Sequence, residues 1–133
     1  MKTVLFVCMH NAGRSQMAGA FFNHLSTGKV KALPAGTAPA DQSNPVVVQA
    51  MQEVGIDISQ NQPKMLTPEM TTDTAKMITM GCGADAGGLC PAAIFPTEDW
   101  KLDDPADKPI EVVREIRNEV KRRVEIFIKQ LGT

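Results

Sequence analysis

Three short stretches of the sequence carry residue types that could do chemistry. The first is VLFVCMHNAGRSQ, residues 4–16, in which an apolar run ends at Cys8 and small residues lead to Arg14 and Ser15. A turn from strand to helix aims successive backbone N–H groups into one concavity, and the helix adds the positive end of its dipole. A cradle of this kind, spanning Met9, His10, Asn11, Ala12, Gly13, Arg14 and Ser15, suits a tetrahedral oxyanion. Ala12 and Gly13 are small enough for close backbone approach, and Gly13 is free to take a positive φ. The planar fork of Arg14 can grip two anion oxygens. The same N–H groups would stabilise a thiolate on Cys8, with Ser15 donating a further hydrogen bond. That places a nucleophile in line with the bound anion. The plain alternative is a buried cysteine at a strand end and an exposed arginine at a helix start. His10 faces either the pocket mouth or solvent.

The second stretch is WKLDDP, residues 100–105. Displacing an oxygen from an oxyanion needs a proton donor, and a nearby carboxyl can serve. Asp104 precedes Pro105, which holds its backbone extended. Asp103 is the alternative, and a solvated acidic turn is the plain reading.

The third stretch is GCGADAGGLCP, residues 81–91, with Cys82 and Cys90 among glycines. Eight positions of extended chain span about 27 Å, so the two cysteines can pair only if the segment folds back. Gly83, Gly87 and Gly88 make that movement sterically cheap. In a redox reading, Cys82 attacks an adduct on Cys8, and Cys90 then attacks the resulting disulfide. In a metal reading, Cys82 and Cys90 bind zinc with a histidine. Their spacing does not match the short pairs of structural zinc sites, and the chain has only 2 histidines.

The elements that must position these residues can be read from periodicity. With 133 residues, the chain is long enough for one domain with a real core. A formal net charge of −1, with no block of like charge, offers nothing for nucleic acid or a membrane surface. The first apolar run is too short to span a membrane and is followed by no signal-peptide cleavage site, so a cytoplasmic protein is expected. An odd cysteine count of 3 argues against a static disulfide framework.

Thr3 to Val7 reads as a strand buried on both faces. A helix follows Arg14, with Met17, Ala20, Phe21, His24 and Leu25 on one stripe. His24 is expected as a core or boundary residue rather than a ligand. Val30 to Leu33 is a weaker strand. Asn44-Pro45 supplies a cap and first-turn proline, Gly55 a stop, and Val47, Ala50, Met51 and Val54 an apolar face. Thr67-Pro68-Glu69 opens a short helix. Lys76 to Met80 is a strand, and Ala92 to Phe95 a last short one. Val113, Ile116, Val120, Val124, Phe127 and Leu131 form the stripe of a C-terminal helix. Alternating strands and helices predict an α/β fold with a four-stranded parallel sheet flanked by helices on both faces. Sites on such sheets lie at the carboxyl ends of strands. Cys8 and Cys82 both fall there.

Taken together, these segments resemble the arsenate reductases of the low-molecular-weight tyrosine phosphatase superfamily. The matching residues are CMHNAGRSQM from Cys8, NPVVVQAMQEVGIDIS from Asn44, Met80-Gly81-Cys82 with Cys90-Pro91, and Glu98-Asp99-Trp100 through Asp103-Asp104-Pro105. The resemblance covers nearly the whole chain and implies the phosphatase-like version of the fold. It implies that Cys8 attacks arsenate held by the loop and Arg14, and that Asp104 protonates the departing oxygen. Cys82 then attacks Cys8 and releases arsenite, Cys90 takes over Cys82, and thioredoxin reduces the Cys82–Cys90 disulfide. Arsenate and thioredoxin are the implied partners of a monomer that binds no nucleic acid and no membrane. No bound cofactor or metal is implied.

Some members bind potassium near the first loop. The matching positions here are Gly19, Pro34 and Lys64 beside Asn11, so no potassium site is expected, with Lys64 as a substitute positive charge. Relatives that use mycothiol or another low-molecular-weight thiol lack the third cysteine, and Cys90 therefore favours thioredoxin. The rivals are a tyrosine phosphatase on the same scaffold, which would usually carry aromatic residues after the Asp-Pro pair, and an anion-sensing module that never turns over.

Overall fold

A computed structural model describes residues 3–8, 13–26, 30–36, 42–65, 67, 74–79, 98–100, 102, 105 and 108–131. The elements run β1 (Thr3–Cys8), α1 (Arg14–Leu25), β2 (Lys31–Gly36), α2 (Pro45–Gln52), β3 (Thr74–Thr79), β4 (Glu98–Asp99) and α3 (Ile110–Leu131). The strands form one sheet in the order β2-β1-β3-β4, and every pair is parallel. Three strands have 6 residues each, and β4 has only 2.

β1 is central, and its sequence explains why. Val4, Leu5, Phe6 and Val7 are all at most 1% exposed, as expected of a strand covered on both faces. Side chains alternate across a strand. Val4, Phe6 and Cys8 face the large core, whereas Leu5 and Val7 join Met77 in a second buried cluster. The described residues of all three helices contribute to the Phe6 side.

Phe6, Phe22, Trp100 and Phe127 meet in that core, with ring centroids from 5.6 to 6.0 Å apart and tilted or edge-on planes, the arrangement aromatic quadrupoles favour. Trp100 thereby anchors the chain two residues before Leu102.

β2 contains Pro34, which a central strand would not accept, and it lies at the sheet edge. At Ala32 its outward backbone is covered by a side chain, and at Gly36 it pairs with the backbone of Lys64 and Met65. Asn23 of α1 accepts from the Ala32 N–H at 2.9 Å and donates to the Ala32 carbonyl at 3.2 Å. This blunts an edge that would otherwise template further pairing.

α2 starts as expected: the Asn44 side chain accepts from the Val46 N–H at 3.0 Å, and Pro45 occupies the first turn. It ends at Gln52, and the chain turns away at Gly55, whose φ of +84° is in the left-handed region. The buried guanidinium of Arg117 on α3 donates to the Ala50 carbonyl at 2.9 Å and to Glu53 Oε1 at 2.9 Å, closing the C-terminal end of α2. Arg114 pairs with Glu53 through two nitrogens, at 3.0 and 2.6 Å.

Several expectations shift. The buried face of α1 comprises Met17, Ala18, Phe21 and Phe22, while His24 and Leu25 are exposed. Both the sheet and α3 demand a broad face, so the stripe through Leu25 is displaced by one position. Val54 is exposed because α2 ends at Gln52 and the chain turns at Gly55. β3 begins two residues before Lys76. The fourth described strand is Glu98–Asp99. The expected strand at 92–95 and the helix opening at Thr67-Pro68-Glu69 fall wholly or largely outside the described residues.

Candidate active site

Val7 pairs with Thr79 across β1 and β3, so the carboxyl ends of these two strands are side by side. Cys8 is the last residue of β1, and Thr79, the last of β3, precedes Cys82 by three positions. Parallel pairing puts both strand ends on one edge of the sheet.

Cys8 is buried, and its Sγ lies 3.0 Å from Ser15 Oγ. Ser15 is fully buried in the first turn of α1. The hydroxyl is therefore a hydrogen-bond partner of the sulfur, as the spacing suggested. Arg14 is only 3% exposed. An idle arginine at a helix start would reach into water, so the plain alternative does not hold. Its Nη1 donates to the Leu102 carbonyl at 3.1 Å.

Gly13 sits at the cap position of α1 with φ −141°, so its role is not the positive φ that the sequence suggested. The reason for glycine is a close approach. A Cβ at Gly13 would lie 2.6 Å from Pro105 Cγ. The ring of Pro105 occupies the space that any other residue's side chain would need. No side chain caps this helix end, and a helix N-terminus favours an anion.

Gln16 is fully buried and accepts from Asn61 Nδ2 at 3.2 Å, which ties the first turn of α1 to the loop after α2. Sequence reasoning missed Leu102, Pro105 and the Gln16–Asn61 pair. A buried glutamine two positions after the arginine was the only local hint.

Positions 19, 34 and 64 do come together. A Cβ at Gly19 would be 3.3 Å from Pro34 Cδ. Pro34 and Lys64 line a cavity of about 370 Å³ with Gln16, Asn23 and Asn61. Gly19 and Pro34 bring no side-chain oxygen and Lys64 brings a cation, so this set does not fit a potassium ion, which takes oxygen donors. Among the described residues, no three His, Cys, Asp or Glu side chains come together as a metal site. None of the described helices is long and apolar enough to cross a membrane.

Met9, His10, Asn11, Ala12, Cys82, Cys90, Asp103 and Asp104 lie outside the described residues. The structure thus brings together Cys8, Gly13, Arg14 and Ser15, with Leu102 and Pro105 packed against them.

The chain is 37% identical over 135 residues to a glutaredoxin arsenate reductase of Synechocystis, covering 99% of this chain and 100% of that one. Among solved structures, it aligns with the thioredoxin-dependent arsenate reductase of Corynebacterium glutamicum at TM-score 0.80 and 36% identity, covering all of this chain and 64% of that one. An arginine phosphatase from Geobacillus stearothermophilus superimposes at TM-score 0.85, with 24% identity over 99% of this chain and 94% of its own, a likeness of fold alone. A sequence profile for the low molecular weight phosphotyrosine protein phosphatases matches residues 3–133, and the chain belongs to that family.

Proposed function

We propose that the protein is a single-domain arsenate reductase that uses Cys8, Cys82 and Cys90 as successive thiols and thioredoxin as its electron donor. The observation that carries the reading is the Cys8–Ser15–Arg14 arrangement: a buried sulfur 3.0 Å from a buried hydroxyl, beside a buried guanidinium at a helix N-terminus with no side-chain cap. Fold alone does not choose between reductase and phosphatase, since both kinds of protein superimpose on this chain. Full-length identity to an arsenate reductase and the presence of Cys82 and Cys90 favour reduction.

In this reading, the loop from Met9 to Ser15 and the fork of Arg14 hold arsenate. The Cys8 thiolate forms a bond to arsenic, one arsenic–oxygen bond breaks, and Asp104 gives its proton to the departing oxygen, which leaves as water. The Cys82 thiolate then attacks the Cys8 sulfur. The sulfur–arsenic bond breaks, its electron pair stays on arsenic, and arsenite leaves with arsenic in the +3 state. Two thiols have supplied the two electrons, and a Cys8–Cys82 disulfide remains. Cys90 attacks Cys82, frees Cys8 as thiolate and leaves Cys82–Cys90 for reduction by a dithiol. Leu102 and Pro105, on either side of Asp103 and Asp104, both contact the loop residues, which supports Asp104 as the acid.

The test is arsenate-dependent NADPH oxidation, coupled through thioredoxin and thioredoxin reductase and compared with glutathione plus glutaredoxin. Turnover with thioredoxin that is lost in Cys8→Ser, Cys82→Ser and Cys90→Ser is expected. Turnover of Cys90→Ser with a small thiol would make that thiol the donor. A silent wild type that cleaves a phosphate monoester would make the protein a phosphatase.

A further inference from the structure

Two described residues from a distant part of the chain, Leu102 and Pro105, contact the start of α1 at the edge of the anion cradle. The Leu102 carbonyl accepts from Arg14 Nη1 at 3.1 Å, and the Pro105 ring fills the slot left by the missing Cβ of Gly13, 2.6 Å from where that Cβ would be. Leu102 and Pro105 are themselves buried, and Trp100, two residues earlier, is fixed in the aromatic cluster. The segment therefore has a rigid base.

We propose that Leu102 and Pro105 are positioning residues that preorganise the oxyanion site. The Leu102 carbonyl occupies one guanidinium N–H of Arg14, which fixes the plane of the fork before an anion arrives. Pro105 braces the backbone at Gly13, the residue from which α1 and its N–H groups start. Gly13 is glycine because the brace needs its space. The ligand class is a tetrahedral oxyanion, and the inference rests on the anion-binding part of the proposed function, not on arsenate reduction.

Inorganic phosphate is the probe, with its dissociation constant measured by calorimetry on the reduced, full-length protein. Gly13→Ala should weaken phosphate binding about tenfold or more, because its Cβ displaces the ring. Pro105→Ala should weaken it severalfold by removing the brace. The double variant should bind phosphate about fivefold more tightly than Gly13→Ala alone, because the new methyl enters the space vacated by Cγ and Cδ. A merely structural role would lower the melting temperature without producing this rescue. Gly13→Ala binding like wild type, or a double variant no better than Gly13→Ala, overturns the proposal. If Gly13→Ala does not fold, Pro105→Ala decides, and phosphate binding equal to wild type overturns it. Phosphate binding is read without turnover, so a failure of arsenate reduction is seen separately.

Discussion

Cys8 Sγ and Ser15 Oγ are 3.0 Å apart, one at the last position of a central strand and the other in the first turn of the following helix. Seven positions apart in sequence, the thiol and the hydroxyl are both buried, as is the neighbouring Arg14. A hydrogen bond to an ionised group contributes roughly 1.5–3 kcal/mol. Ser15→Ala should therefore slow attack by Cys8 about 10- to 100-fold while leaving the fold intact. Stopped-flow alkylation of Cys8 by iodoacetamide, compared with arsenate turnover, checks this. Equal rates in wild type and variant would contradict it.

Arg14→Lys keeps the charge but loses the planar fork and its link to the Leu102 carbonyl. The expected cost is about 100-fold or more in kcat/KM for arsenate, a transition-state loss of about 3 kcal/mol. Steady-state kinetics at fixed ionic strength would measure it. A variant within about threefold of wild type would mean that a point charge suffices.

The Glu53 carboxyl is held at about 2, below its ordinary 4.5, first by the hydrogen bond from Arg114 and further by the charge of Arg114 and by Arg117, against an opposing desolvation. The unfolded chain takes up this proton more readily than the folded one. The stabilisation is thus complete above pH about 4.5 and disappears as pH falls towards 2. Glu53 faces solvent, so its effect is modest and salt-sensitive. Urea unfolding of wild type and Glu53→Gln should differ at pH 7 and converge near pH 2. A gap independent of pH would contradict the ion-pair origin.

Phe127 touches Phe6, Phe22 and Trp100 at once. Phe127→Ala should cost about 3–5 kcal/mol of stability through the cavity it leaves. Thermal unfolding followed by the fluorescence of Trp100, the single tryptophan, reads this. A loss below about 1 kcal/mol would mean that the cluster collapses to fill the space.

With glycine, proline and lysine at positions 19, 34 and 64, potassium chloride and sodium chloride should support the same melting temperature and the same kcat/KM. A gain specific to potassium would reveal oxygen donors outside this set.

The sequence made the framework legible where local physics is strong. The β1 run, the Asn44-Pro45 start and Gly55 stop of α2, and the stripe of α3 each rest on a single local cause, and the structure bears them out. The Cys8–Ser15 contact was legible because both residues lie on one strand-turn-helix unit. What was missed depends on distant chain. The reason for Gly13 is Pro105, ninety-two positions away, and no periodicity reports such a contact. The face of α1 was displaced because the sheet and α3 choose which residues are buried. Cys82 and Cys90, proposed for the relay, and Asp104, proposed as the acid, lie outside the described residues, and these proposals rest on chemistry and resemblance.

Disulfide mapping after one turnover addresses the three-thiol relay itself. Reduced protein is mixed with arsenate in the absence of any reductant, quenched with acid, alkylated and digested, and arsenite is counted per chain. The relay predicts one arsenite per chain and a Cys82–Cys90 disulfide in wild type, a trapped Cys8–Cys82 disulfide in Cys90→Ser, and no arsenite from Cys82→Ser. Arsenite release from Cys82→Ser at the wild-type rate, or a wild type whose three thiols all remain reduced, would contradict it.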